Sequence, residues 1–138
     1  MRFRTSALTA ALAAAGALGM LATAAPAQAD SIPDGLCGGV IDVDYCLWYN
    51  SNQAGGWTAT YDNEPNWANH FFTNGGQGSN GVGMPVKNNA ASYANSHDSK
   101  TGVSYFNQNY GGASDVAPPR DKGNLSNTYN DNASFRWR

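Results

Sequence analysis

Residues 105–112 read "YFNQNYGG", and a weaker copy, "YNSNQAGG", stands at 49–56. Each phrase sets a tyrosine seven residues before the second of two glycines, with amide side chains between them. Asn and Gly tolerate positive φ and supply turns, whereas aromatic residues suit strands, so each phrase predicts a strand entering a tight turn. With an offset of 56, residues 47–60 lie on 103–116; with an offset of 42, "NNAASYAN" (88–95) lies on "NDNASFRW" (130–137). The order A, B, A′, B′ is a tandem duplication inside one domain, with a first half at about 45–95 and a second at about 103–137.

The two offsets differ by 14, which places an extra segment between A and B of the first half. "NHFFTNGGQGSNGVGMP" (69–85) holds it: five glycines, two Asn-Gly pairs and a proline resist regular structure. The matching stretch of the second half, "APPRDKGNL" (117–125), reads as a short Pro and Gly turn. Strands are expected near 45–50, 57–62, 86–95, 103–107, 112–117 and 128–137. Short strands at this spacing, with turns between them and no apolar helical period, predict an all-β sandwich of antiparallel sheets.

The chain opens with two arginines, an apolar run rich in Ala and Leu, and Ala27-Gln28-Ala29. That pattern is a secretory signal peptide, residues 1–29, with cleavage expected after Ala29 and a soluble domain at 30–138. The leader takes Arg2 and Arg4 with it. The exported chain then carries six Lys/Arg against ten Asp/Glu, a formal charge of −4. With no basic patch to neutralise phosphates, nucleic acid is excluded as a partner. After cleavage no membrane contact is expected, and the domain reads as a monomer. Disorder is the competing reading of so polar and asparagine-rich a chain, but aromatics spread from Tyr45 to Trp137 oppose it. Cys37 and Cys46 are the only cysteines, and in an oxidising compartment they form one structural disulfide.

The phrase Tyr105, Tyr110, Gly112 resembles the signature of βγ-crystallin Greek keys: aromatic, four residues, aromatic, one residue, glycine. Tyr49 and Gly56 meet it in the first copy, where Ala54 takes the second aromatic position. The resemblance implies a sandwich of two Greek-key motifs. It also implies a folded hairpin with an aromatic over the glycine, tied down by Ser92 in one half and Ser134 in the other. The leader, the early cysteines, "CLWYNSN", "VKNNAASYAN" and the C-terminal "NDNASFRW" are similar to peptidase inhibitor family 36, small secreted proteins that resemble an actinomycete metalloproteinase inhibitor. That likeness covers 37–138 and implies inhibition of an extracellular peptidase. The founding inhibitor carries two disulfides and this chain has one cysteine pair, so no reactive-site residue is carried over.

The same resemblance raises a calcium site. Asn88, Asn89 and Ser92, with Asn130, Asp131 and Ser134, meet five of the six positions of a motif that binds Ca²⁺ in many βγ-crystallins; Tyr93 and Phe135 break the sixth. Only Asp131 among them is charged, whereas calcium seeks six to eight oxygens. The bland reading is that the asparagines turn the chain and the serines lock hairpins. No cofactor is otherwise required. Nor is an enzyme expected: His70 and His97 each stand alone, consecutive Ser96-His97-Asp98 cannot assemble a triad, and Asp42/Asp44 and Asp62/Glu64 read as solvated edges. Aromatics beside the long segment, Trp67, Phe71 and Phe72, are candidates for contact with a partner. Three functions stay open: peptidase inhibition, a Ca²⁺-binding structural or stress module of the cell exterior, and carbohydrate or envelope binding.

Overall fold

Alternation of side chains between two faces organises the first strand. In β1 (Tyr45–Asn50), Tyr45 and Leu47 enter the main core with the half-buried Tyr49 packed against it, while Cys46 and Trp48 join a second buried cluster with Cys37 and Ala94. The computed structural model describes Cys37 and residues 45–138. The leader at 1–29 and the pair Asp42/Asp44 lie outside the described residues. Among the described residues, no helix is long and apolar enough to cross a membrane.

Six further strands follow: β2 (Ala54–Thr60), β3 (Ser92–Asn95), β4 (Gly102–Asn107), β5 (Gly111–Ala117), β6 (Lys122–Asn124) and β7 (Ser134–Trp137). They build two antiparallel sheets, ordered β2-β1-β3-β6 and β5-β4-β7. The halves exchange edges. β6 comes from the second half yet pairs with β3, and Glu64 of the first half exchanges two backbone hydrogen bonds with Phe135 of β7, both 2.7 Å. This is the two-Greek-key sandwich the sequence led us to expect.

Tyr45, Leu47, Trp67, Phe72, Val86, Tyr93 and Phe135 belong to the main core, and the Tyr45 and Phe135 rings stack 4.1 Å apart. Burial of each large side chain stabilises the fold by about 1.5–3 kcal/mol. The Cys37–Cys46 disulfide is present, its Cα atoms 5.8 Å apart, and its sulfurs belong to the cluster that buries Trp48.

Some element boundaries differ from the sequence reading. Residues 86–91 and 128–133 are turns, because left-handed Asn88 (φ 62°) and Asn130 (φ 55°) bend the chain before β3 and β7 begin. Residues 117–125 are more than a turn: they include β6, whose Gly123 lies so close under Tyr93 that a Cβ there would meet the ring hydroxyl at 3.1 Å.

The repeat is also shifted by one residue from the alignment at offset 56. Trp48 pairs with Trp57 as Tyr105 pairs with Ser114, and Asn50 with Ala54 as Asn107 with Gly111. Positive φ recurs at Asn52/Asn109, Gln53/Tyr110 and Gly55/Gly112. The structural offset is therefore 57. The second block keeps 42, as reciprocal bonds from Asn88 N to Asn132 O and from Asn130 N to Ala90 O show. Between Thr60 and Asn88 lie 27 residues, and between Ala117 and Asn130 lie 12, so the excess of the first half is 15 residues.

Candidate functional site

Two serines close the two hairpins in the same way. Ser134 Oγ donates to Asn107 O at 2.6 Å and accepts from Tyr110 N at 3.0 Å. Ser92 Oγ donates to Asn50 O at 2.6 Å and accepts from Gln53 N at 3.0 Å. The offset of 57 corrects the motif in the first half: Trp48, Gln53 and Gly55 stand where Tyr105, Tyr110 and Gly112 stand, so Tyr49 and Gly56 are not the equivalent residues. A Cβ on Gly112 would lie 2.8 Å from Asn107 Nδ2, and one on Gly55 2.9 Å from Asn50 Nδ2. An amide covers each left-handed glycine.

Gly56 serves a different contact. A Cβ on it would fall 2.9 Å from Phe72 Cβ and 3.0 Å from Val82 N, so its bareness lets residues 70–86 approach β2. That segment is bound along the exposed edge of the sheet. Gly55 N donates to Gln77 O, Gly56 N to Asn80 O, and Trp57 and Thr73 exchange a reciprocal pair at 2.8 and 2.9 Å. Within the segment, Phe72 N donates to Met84 O, Gly83 N to Phe72 O and Val86 N to His70 O. His70 Nε2 lies 3.0 Å from Glu64 Oε2 at its base. The glycine-rich stretch that reads as irregular in the sequence is thus fixed by backbone hydrogen bonds, which glycine permits by close packing: a Cβ on Gly75 would lie 2.0 Å from the Trp57 indole.

Of the three aromatic partner candidates, one remains. Phe71 is 54 % exposed, whereas Trp67 and Phe72 are core residues at 0 % and 1 %. The correction has a local cause. Trp67 starts a 3₁₀ turn (Trp67–Asn69) with its N–H bonded to Ala133 O, which drives its ring inward, and Phe72 meets Tyr49 edge-on at 5.8 Å. Sequence reasoning missed Val82 and Met84, both exposed on the same segment as Phe71. Apolar side chains flanked by Gly81, Gly83 and Pro85 were the available signal. Residues 65–86 contain no Lys, Arg, Asp or Glu.

The calcium candidates converge only in part. Asn88 and Asp131 open on one shallow depression with Lys87 on its wall. Ser92 and Ser134 each retain a single uncommitted lone pair on Oγ, and Asn89 Nδ2 donates to Lys87 O. One carboxylate beside a lysine does not fit a tight Ca²⁺ site, which draws on several charged oxygens. No group of three or more His, Cys, Asp or Glu side chains gathers among the described residues.

Nor do the catalytic candidates assemble. His97 Nδ1 accepts hydrogen bonds from Ser99 N and Lys100 N, both 3.1 Å, and Asp98 pairs with Arg120. Ser96-His97-Asp98 is therefore a turn. Asp62 N is held by Thr60 Oγ1 and Glu64 faces His70, so these two carboxylates do not face each other across a shared cleft.

No protein-family profile matches the chain, and no curated protein matches it. Solved structures do. One, described under the evolution of the eye lens βγ-crystallin domain fold, superposes with a TM-score of 0.54 at 7 % identity, covering 72 % of this chain and 88 % of the other. The N-terminal domain of protein S gives 0.52 at 14 % identity, covering 70 % of this chain and 96 % of that domain. At such identities the likeness establishes the fold, a βγ-crystallin-like sandwich.

Proposed function

We propose that this protein acts by binding, as an exported monomeric inhibitor of an extracellular metallopeptidase, with residues 70–86 as its contact surface. One observation supports the reading above others: exposed Phe71, Val82 and Met84 are carried on a backbone already fixed to the edge of β2. A loop that is ordered before binding avoids the roughly 0.5–1.5 kcal/mol per side chain that immobilisation costs at an interface. With no formal charge between residues 65 and 86, the surface offers apolar anchors and backbone groups to a cleft, and association would depend little on salt. The choice of a metallopeptidase follows the sequence resemblance of residues 37–138 to peptidase inhibitor family 36. No catalytic residue and no cofactor are part of the proposal.

The test is a panel of secreted metallo- and serine peptidases assayed with the purified chain at micromolar concentration. Stoichiometric inhibition of one metallopeptidase is expected, and Phe71→Ala should weaken it at least about tenfold without lowering thermal stability. Absence of inhibition across the panel would sink the reading. Repeating the unfolding curve with calcium and with a chelator separates this function from a calcium module, since a bound ion raises the midpoint and an unbound one does not.

A further inference from the structure

The corrected repeat pairs Phe106 with Tyr49, and the two aromatics have opposite surroundings. Tyr49 lies under the long segment: a Cβ on Gly81 would sit 2.0 Å from its ring, and Phe72 meets it edge-on. The return from β5 to Asn130 is 15 residues shorter than its counterpart, and Phe106 is left 44 % exposed. What covers Tyr49 from within the chain has no equivalent over Phe106.

Phe106 instead lines an open depression of about 450 Å³ between the two halves, a size within the usual range for small-molecule sites. Around it stand Lys87, Asn88, Asn107, Gln108 and Asp131. None of these five polar side chains hydrogen-bonds or pairs with another described residue. Several amides elsewhere are occupied: Asn95 Nδ2 donates to the carbonyls of Lys100, Ala117 and Pro118, and Asn132 Oδ1 accepts from Ala90 N while its Nδ2 is buried without a partner. Five uncommitted polar side chains thus surround one exposed aromatic ring.

We infer that this depression is a saccharide-binding site, separate from the 70–86 surface. A sugar ring offers an apolar C–H face, which Phe106 can cover, and an edge of hydroxyls that both donate and accept. Three amides donate and accept, Lys87 donates and Asp131 accepts, which together match that edge. The opposed charges of Lys87 and Asp131 cancel, so the site suits an uncharged ligand better than a bare cation or a polyanion.

The experiment titrates the full chain with chitotetraose and with cellotetraose, followed by backbone amide NMR and calorimetry. The two probes distinguish an acetamido sugar from a plain hexose, and binding of either supports the site. Shifts should centre on residues 87–88, 106–108 and 131. Phe106→Ala should weaken binding at least about tenfold while leaving the melting temperature unchanged, because its ring contributes little to the core. Asn107→Asp, Gln108→Ala and Lys87→Ala provide further variants that leave the core intact. No binding of either probe at millimolar concentration overturns the inference, as does binding that survives Phe106→Ala or shifts confined to residues 70–86.

Discussion

Phe71 and Phe72 are neighbours in sequence with opposite fates, and replacing each by alanine separates the core from the contact surface. Phe72 is 1 % exposed, packs against Tyr49 at 5.8 Å and touches the bare face of Gly56. Truncation removes the transfer free energy of a buried phenyl ring and leaves a cavity, about 3–5 kcal/mol, of which roughly 0.5–1.5 kcal/mol is the edge-on ring pair. A domain of this size has about 5–15 kcal/mol in total, so Phe72→Ala removes roughly a fifth or more of it. At about 4 °C or more per kcal/mol, the melting temperature should fall by at least about 12 °C. Phe71→Ala, at 54 % exposure, should stay within about 0.5 kcal/mol. Urea unfolding followed by tryptophan fluorescence measures both, with the slope m expected to stay constant. Equal losses for the two variants, or a larger loss for Phe71→Ala, would refute the placement of the 70–86 segment and with it the contact surface.

Ser92→Ala and Ser134→Ala should each cost about 1–3 kcal/mol in chemical denaturation, because each leaves a hairpin N–H and C=O without their partner; a difference beyond about 1 kcal/mol would contradict their structural equivalence. Gly81→Ala adds a side chain at φ +82° beside the Tyr49 ring, so it should destabilise by more than the roughly 1–2 kcal/mol of left-handed strain alone. Placed in a Tyr49→Ala background, the same substitution should cost measurably less, and strict additivity would argue against the contact. Burial holds the Tyr45 and Tyr93 hydroxyls protonated far above the ordinary phenolic value near 10, with Asp121 adding to the effect at Tyr93. The unfolded chain releases these protons above about pH 10 and the folded chain retains them, so stability is intact below that pH and declines above it by about 1.4 kcal/mol per unit for each tyrosine. A melting temperature that stays level from pH 9 to pH 11 would exclude this.

The sequence carried the architecture more legibly than the detail. Duplicated blocks in the order A, B, A′, B′ revealed two Greek keys because strand, turn and serine tie recur with them. Their register came out one residue off, since Gly55-Gly56 and Gly111-Gly112 align with identical letters at an offset of 56. Position in the structure follows left-handed backbone at Gln53 and Gly55, and letters do not record φ. β6 was unreadable for another reason: Lys122, Gly123 and Asn124 have no apolar alternation, and only the edge of β3, contributed by the other half, makes a strand of them. Burial at the candidate site was likewise tertiary. Nothing local in "WANHFF" separates Trp67 and Phe72 from Phe71, which the contacts to Ala133 and Tyr49 decide. The depression beside Phe106 was hidden because it depends on what the second half lacks.

The exchange of edges has a kinetic meaning. Tyr45 stacks on Phe135, ninety residues away, and β3 cannot acquire its outer neighbour until Asn124 exists. Pairings this distant in sequence fold slowly, on the order of milliseconds to seconds, because the closure entropy precedes the contacts that offset it. A chain cut between Asn95 and Gly102 would yield two fragments, the first without the β6 edge of its sheet and the second without the Glu64 bridge that borders β7. They should remain unfolded apart and recover the sandwich on mixing. A half of this molecule could be duplicated as a unit of sequence, but it is not a unit of folding.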